Sequence, residues 1–248
     1  MKPLYSITYR EILRFYRQKG RVLSTLVTPL IFWMLLGLGL NQNFSFQGVQ
    51  SSYFEFLIPG NLVLVILFAS IFSTISLIED RNSGFMQGVI VAPIPREMIV
   101  LGKVLGGSLL ALLQGFIYLV LVVVISQKFS VVGFLSQLLI LFILSLSLVS
   151  LGFYFAWKLN STQGYHAVMN ILLFPMWFLS GALFPYESAP LVMKVLMKLN
   201  PLHYGLLSLK SSFAGEGILG LNLLIILIFG LIFFVRSFYL VKNNYEKS

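Results

Sequence analysis

The side chains that could carry acid–base, metal or nucleophilic chemistry are few. The 248 residues hold 17 Lys and Arg, 8 Asp and Glu, 2 His and no Cys. Without cysteine there is no disulfide framework and no thiolate metal site. Glu79 and Asp80 are the one adjacent carboxylate pair. Consecutive residues on a helix do not face each other, so the pair reads as a solvated interface and not as an acid/base couple. No HExxH or GxSxG sequence is present. Gly102-Lys103 is followed by Val104 and has no glycine five residues before Gly102, so it is not a nucleotide-binding P-loop. The chain therefore has no catalytic set, and the expectation is that it is not an enzyme, holds no cofactor and binds no metal.

The elements that position these charges follow from the stretches that lack them. Hydrophobic residues make up 58% of the chain and charged residues 10%, against about 45–50% and about 25% in a soluble domain. A water-soluble enzyme, a nucleic-acid-binding domain and a disordered tail are all excluded by that balance. Asp, Glu, Lys and Arg are absent from 22–54, 56–78, 104–127, 129–157, 159–186 and 217–235. A spanning helix needs about 20 apolar residues. The expected fold is one all-α integral membrane domain over 1–248, with six transmembrane helices at 22–41, 57–78, 104–126, 132–157, 167–185 and 218–239. With both termini cytoplasmic, 13 of the 17 Lys and Arg fall on the inner side, as the positive-inside rule requires. His166 and His203 then lie on opposite sides of the membrane. No ionisable residue falls near a midplane, so coupling to protons or ions within the membrane is not expected.

Before the first span, Tyr5, Tyr9, Ile12, Leu13 and Tyr16 share one side of a helix within 1–21, and Arg10, Arg14, Arg17 and Arg21 another. This reads as an amphipathic interfacial helix, aromatics down and arginines towards anionic lipid. Between spans two and three, Phe85, Met86, Val89 and Ile90 form a short apolar stripe at helical spacing within 82–92. Asn82 or Ser83 is placed to cap it, and Pro93 to end it. It is either a plain interfacial connector or an element that carries a push from a cytoplasmic motor. In 186–217, Ser188 and Pro190 open a helix striped by Leu191, Val192, Val195, Leu196 and Leu199, with Lys194 and Lys198 opposite. Asn200-Pro201 closes it. Ser70, Ser73 and Thr74 on span two, and Asn170, Phe174 and Trp177 on span five, either line a path or pack helices together. Gly37, Gly39 and the Gly102-x-x-x-Gly106 spacing read as close helix packing.

Two polar-punctuated blocks resemble the permease subunits of type-two ATP-binding-cassette (ABC) exporters, the bacterial drug, lipid and polysaccharide export group. One is Glu79, Gly84, Ala92-Pro93, Arg96 and Gly102-Lys103. The other is Ser180-Gly181, Phe184-Pro185, Pro190 and Asn200-Pro201-Leu202-His203-Tyr204. Phe85 departs from the threonine common after that glycine. The resemblance implies a half-transporter of the cell membrane, paired with a second copy or a paralogue, exporting a hydrophobic or amphipathic substrate. A separate cytoplasmic ATPase subunit would carry ATP and Mg. Segment 82–92 would be its coupling helix, with Glu79, Arg81, Gly84, Phe85, Met86, Val89, Ile90, Pro93 and Arg96 at the contact. Glu79 and Arg81 would pair with the ATPase or with the N-terminal helix, and 186–217 would form an outer helical hairpin. The competing expectation is an integral membrane scaffold or assembly factor that binds a cytoplasmic partner without transport.

Overall fold

The computed structural model describes residues 2–40, 53–91, 95–127, 129–217 and 220–245, and among these every regular element is a helix. In chain order they are α1 (Lys2–Arg17), α2 (Lys19–Leu40), α3 (Tyr53–Asn82), α4 (Phe85–Val91), α5 (Arg96–Ser126), α6 (Val131–Lys158), α7 (Thr162–Phe178), α8 (Leu191–Leu199), α9 (Pro201–Ala214) and α10 (Gly220–Tyr245). Among the described residues, four helices, Tyr53–Asn82, Arg96–Ser126, Val131–Lys158 and Gly220–Lys242, are long and apolar enough to cross a membrane. The apolar stretch of α2 is shorter, Leu23–Gly39.

Helix α3 is the axis of the bundle. It is buried almost throughout and packs against α2, α5, α6, α7 and α9. Helix α10 sits at the edge against α6, α9 and α5. There it exposes Leu221, Leu224, Leu227, Ile228, Leu231 and Ile232. Apolar side chains turned outward in such numbers suit a hydrocarbon solvent and not water. The starts of three helices are set by side-chain caps. Ser130 accepts from Gly133 N at 3.4 Å, Ser161 from Gly164 N at 3.0 Å, and Asn200 Oδ1 from Leu202 N at 3.1 Å. Each satisfies an amide that the first helical turn leaves unpaired.

The fifth apolar run is shorter as a helix than its sequence suggests. Residues 167–185 read as one span, but α7 ends at Phe178 and 179–190 is irregular. The charge-free run hides the break because Leu179, Ala182, Leu183 and Phe184 remain apolar. The carbonyls freed by the break are taken by polar side chains from elsewhere. His203 Nδ1 donates to Ser180 O at 2.7 Å, Lys210 Nζ to Gly181 O at 3.1 Å, and Tyr53 Oη to Leu183 O at 3.0 Å. Trp177 Nε1 donates to Gly60 O at 2.8 Å and Asn200 Nδ2 to Met176 O at 2.5 Å. Backbone groups away from water need such partners. Asn200 thus closes α8, opens α9 and ties both to α7.

Burial lowers the Lys210 pKa from 10.5 to about 8, partly opposed by the charge of Glu187. A lysine whose folded pKa is depressed binds fewer protons folded than unfolded between those values, so stability rises with pH there. The expected outcome is a melting temperature in detergent that climbs between pH 8 and 10. Lys210→Met should flatten that climb, read by thermal unfolding across the pH series.

Helix α1 lies against α5 through the Gly102-x-x-x-Gly106 spacing. A Cβ at Gly102 would come within 2.9 Å of Ile7 Cγ2, and one at Gly106 within 3.0 Å of Glu11 Cβ. The expected role in close packing is met here, with α1 as the partner. At Gly37 an added Cβ would collide with the Phe54 ring, whereas at Gly39 it would meet nothing. Gly106→Leu should therefore lift α1 from α5, at a cost of about 1–3 kcal/mol. Faster protease release of the N-terminal helix, with membrane insertion unchanged, is the expected readout.

Candidate functional site: an ionic junction at one end of the bundle

The charges missing from the spans gather where α1, α3, α4 and α5 meet. Asp80, 1% exposed, is at the centre. Arg10 grips its carboxylate with both guanidinium nitrogens, Nη2 to Oδ1 at 2.7 Å and Nη1 to Oδ2 at 2.8 Å. Arg14 adds Nη1 to Oδ1 at 2.5 Å and reaches Glu79 Oε2 with Nη2 at 2.6 Å. From α5, the buried Lys103 donates to Asp80 Oδ2, and to Glu11 Oε1 at 2.6 Å. Ser76 Oγ donates to Glu11 Oε2 at 2.6 Å. Three cations (Arg10, Arg14, Lys103) thus meet three anions (Glu11, Glu79, Asp80). The two-pronged guanidinium–carboxylate pair is the strong geometry for such a contact. Its hydrogen bonds to Asp80 raise the Arg10 pKa, partly against desolvation.

Two sequence expectations change at this junction. Glu79-Asp80 is not a solvated pair, because Asp80 is enclosed by α1 and α5. Arg10 and Arg14 face carboxylates of their own chain and not anionic lipid, since Asp80 and Glu79 stand within reach on α3. Tyr5, Tyr9, Leu13 and Tyr16 are among the outward residues of α1, with Tyr5 and Tyr9 stacked at 5.8 Å. Arg17 remains exposed, and the Arg21 side chain lies outside the described residues. Glu79 does pair with the N-terminal helix, one of its two expected partners.

Arg81 turns the other way. Its guanidinium donates to Trp157 O at 2.5 Å, to Ala156 O at 2.9 Å and to Leu159 O, closing the last turn of α6. A cation at a helix C-terminus answers both the unpaired carbonyls and the negative dipole end. Arg96 Nη1 donates to Lys242 O at 3.3 Å, joining the start of α5 to the end of α10.

Helix α4 is reached through a turn in which Gly84 has φ +76°, a conformation that glycine adopts without strain. The expected segment 82–92 is helical from Phe85 to Val91, because α3 continues through Asn82. The apolar stripe of α4 turns towards the chain itself. Met86 is 2% exposed and Val89 packs on the core. Phe85 is 39% exposed, with Arg10 Cζ 3.5 Å from its ring centroid. The residues α4 presents outward are Gln87, Gly88 and Val91, the last 85% exposed. Pro93 and the side chain of Ile90 lie outside the described residues.

The residues considered for a path divide. Ser70, Ser73, Thr74 and Trp177 are buried between helices. Thr74 Oγ1 shares a hydrogen bond with Tyr165 Oη at 2.5 Å, and Ser73 Oγ donates to Ser70 O at 2.9 Å. Asn170 and Phe174 lie on the outward side of α7 with Ile171. The five apolar residues of the α8 stripe are likewise exposed, while Met197 anchors that helix.

Of the junction, sequence reasoning gave only Glu79 a contact with the N-terminal helix; Arg10, Arg14 and Asp80 were read otherwise, and Glu11 and Lys103 were given no ionic role. A lone acid among the arginines of α1, and a lysine following the glycine of a small-residue spacing, were the signals available. Their pairing crosses 92 positions, which no local pattern encodes.

A bundle of long apolar helices, charged at its end and carrying a short surface helix against that charge, defines the chain as a multi-helix membrane protein. Residues 3–214 match the family model of the ABC-2 type transporter, and the chain belongs to that family, as its two motif blocks suggested. It is 28% identical over 256 residues to the "Inner membrane transport permease YadH" of Escherichia coli (strain K12), covering 96% of this chain and 92% of that one. It is 27% identical over 207 residues to the "Putative transport permease ycf38" of Cyanophora paradoxa, covering 82% and 71%. The protein is a transport permease of the ABC-2 family, a membership that implies an ATPase partner.

Removing one partner from a buried ionic group costs about 3–5 kcal/mol, whereas a more exposed pair is worth about 0–1 kcal/mol. Asp80→Asn is therefore expected to lower the melting temperature far more than Glu79→Gln, whose carboxylate is 28% exposed. Thermal unfolding of the two variants in the same detergent checks the order.

Proposed function

We propose that this permease is the membrane half of an ATP-driven exporter, worked from the cytoplasm by a separate ATPase subunit that docks on α4. The observation that carries the reading is the bond between α4 and the ionic junction. The partner would meet the Gln87, Gly88 and Val91 face, with Phe85 at its edge. Met86 and Val89 root the helix in the bundle, and Glu79, Arg81, Gly84 and Arg96 hold the surrounding segments. ATP and Mg would reside on the partner. Nucleotide-driven movement of α4 passes to Arg10 through the Phe85 ring, to Asp80 on α3, and through Lys103 to α5. Charged groups locked in one geometry transmit displacement as a unit, which is what a two-state gate needs.

In this reading six helices cross the cell membrane, α2, α3, α5, α6, α7 and α10, with both termini cytoplasmic. Seventeen residues of α7 rise only about 25 Å, less than the ~30 Å hydrocarbon core. The irregular 179–190 segment completes the crossing and leads into the α8–α9 hairpin on the outer side. A second copy or a paralogue supplies the other half, and Asn170 and Phe174 face the space between them. The apolar, aromatic lining suits a hydrophobic or amphipathic cargo such as a drug, a lipid or a lipid-linked glycan.

Val91→Glu is expected to abolish co-purification of the ATPase and stimulation of its hydrolysis, with the permease still inserted and monodisperse. Met86→Glu, by contrast, should lose the folded permease itself, because that side chain is buried. Unaltered ATPase stimulation by Val91→Glu would remove α4 as the docking element.

A further inference from the structure

Between Val104 and Ser126 on α5, Gln114 is the one amide side chain and Tyr118 the one phenol. Gln114 is 1% exposed and Tyr118 is fully enclosed. Neither the amide oxygen and nitrogen of Gln114 nor the Tyr118 hydroxyl has a hydrogen-bond partner among the described residues. Residues four apart stand one above the other on a helix, so all three atoms belong to one face of α5. The other buried side-chain atoms without a partner are single ones, on Gln18, Ser70, Ser208 and Ser237. A serine hydroxyl in a helix has a carbonyl of the preceding turn to fall back on. A tyrosine hydroxyl ends too far from its own backbone for that. Polar groups left unpaired in an apolar core are costly, and here three of them gather.

The surroundings limit what can answer them. The Tyr118 ring lies 5.7 Å from that of Trp33 on α2, and the Trp33 N–H is already spent on Phe54 O at 3.0 Å. Beside them an added Cβ at Gly115 would come within 2.7 Å of Ile66 Cδ1 and 3.3 Å of Leu141 Cδ1. Packing of that closeness between α3, α5 and α6 excludes an organic ligand. A metal cation would need more oxygen ligands than one amide and one phenol provide. Water has the right size and offers both donors and acceptors. A buried water makes about three hydrogen bonds to groups otherwise unpaired. Val122, one turn beyond Tyr118 on the same face, lines an open cleft at the end of the bundle away from the ionic junction. Water thus has a short way in.

We propose that Gln114 and Tyr118 form an internal water-binding site in the core of the bundle. Water donates to Gln114 Oε1, accepts from Gln114 Nε2 and bridges to the Tyr118 hydroxyl. A pair of water molecules bonded to each other meets all three atoms. The site involves neither α4 nor the ionic junction, and its test needs no nucleotide, partner or transport. Its failure is therefore distinguishable from failure of the export reading.

The test is X-ray hydroxyl-radical footprinting of the purified full-length chain in a neutral detergent. Radiolysis of a bound water oxidises the side chains that touch it, and mass spectrometry reads the rate at each tyrosine. Tyr165 is the internal control, because it is equally enclosed but its hydroxyl is paired with Thr74 Oγ1. Tyr118 should be oxidised severalfold faster than Tyr165. Gln114→Leu removes two of the three polar atoms and leaves the phenol in place, so it should bring Tyr118 down to the Tyr165 rate. Gln114→Met, closer in shape, takes its place should Gln114→Leu fail to fold. Tyr118→Phe should lower the melting temperature, since a bridged hydroxyl is lost, whereas removing a dry, unpaired hydroxyl would raise it. The proposal is overturned if Tyr118 is oxidised no faster than Tyr165, or if Tyr118→Phe raises the melting temperature. It is equally overturned if fast oxidation of Tyr118 persists in a folded Gln114 variant, which would mark transient opening to bulk solvent and not a bound water.

Discussion

The Asp80 carboxylate holds together more of this molecule than any other group. It sits almost out of solvent near the end of the most buried helix, where an unpaired charge would be prohibitive. Arg10, Arg14 and Lys103 answer it from two other helices, and Glu11 and Glu79 bring the sum of charges to zero. The arrangement welds a surface helix, α1, to the spans it would otherwise only precede. A buried ion pair is weak evidence for added stability, but it is strong evidence for a fixed geometry. Here the geometry joins α4, through Phe85 on Arg10, to the two longest helices. That is the property a docking element for a moving partner requires.

The opposite end solves the reverse problem. There the difficulty is backbone polarity, because α7 stops inside an apolar run and frees carbonyls that water cannot reach. His203, Lys210, Tyr53, Trp177 and Asn200 are spent on those oxygens or on the carbonyls beside them. Because the Ser180 carbonyl can only accept, the His203 ring is held with its proton on Nδ1. Burial also lowers the His203 pKa, in keeping with a neutral ring. Between these two polar ends the core is mainly apolar, with small hydroxyls such as Ser70, Ser73 and Thr74 buried in it, and α3 threads from one end to the other. The bundle is thus tied at its two ends by different chemistry, charge at one and carbonyl capture at the other.

Much of this was legible along the chain. The charge-free stretches located the long helices, because no other residue pattern is tolerated in hydrocarbon. The glycines at 102 and 106 announced a close helix contact. Pro190 and Asn200-Pro201 marked the two ends of α8, whereas the break in the fifth apolar run was not legible. Other features stayed ambiguous for physical reasons. The stripe of Phe85, Met86 and Val89 left open whether the bundle or a partner covers it, because an apolar stripe says only that something does. Here the bundle covers Met86 and much of Val89, while Phe85 stays 39% exposed beside Arg10. The arginine face of α1 likewise specified a need for negative charge without saying whether lipid or protein would supply it.

What the order of residues decided alone was the solvent, the family and the approximate path of the chain through its helices. These depend on composition and on local periodicity, which survive without contacts. Tertiary structure decided which charges meet, which way the short helix faces and where the fifth run stops being helical. Glu11, Asp80 and Lys103 come from three helices far apart in the chain, and only packing brings their side chains within reach. Electrostatic pairing is decided by distance in space, and local sequence carries almost no record of that distance.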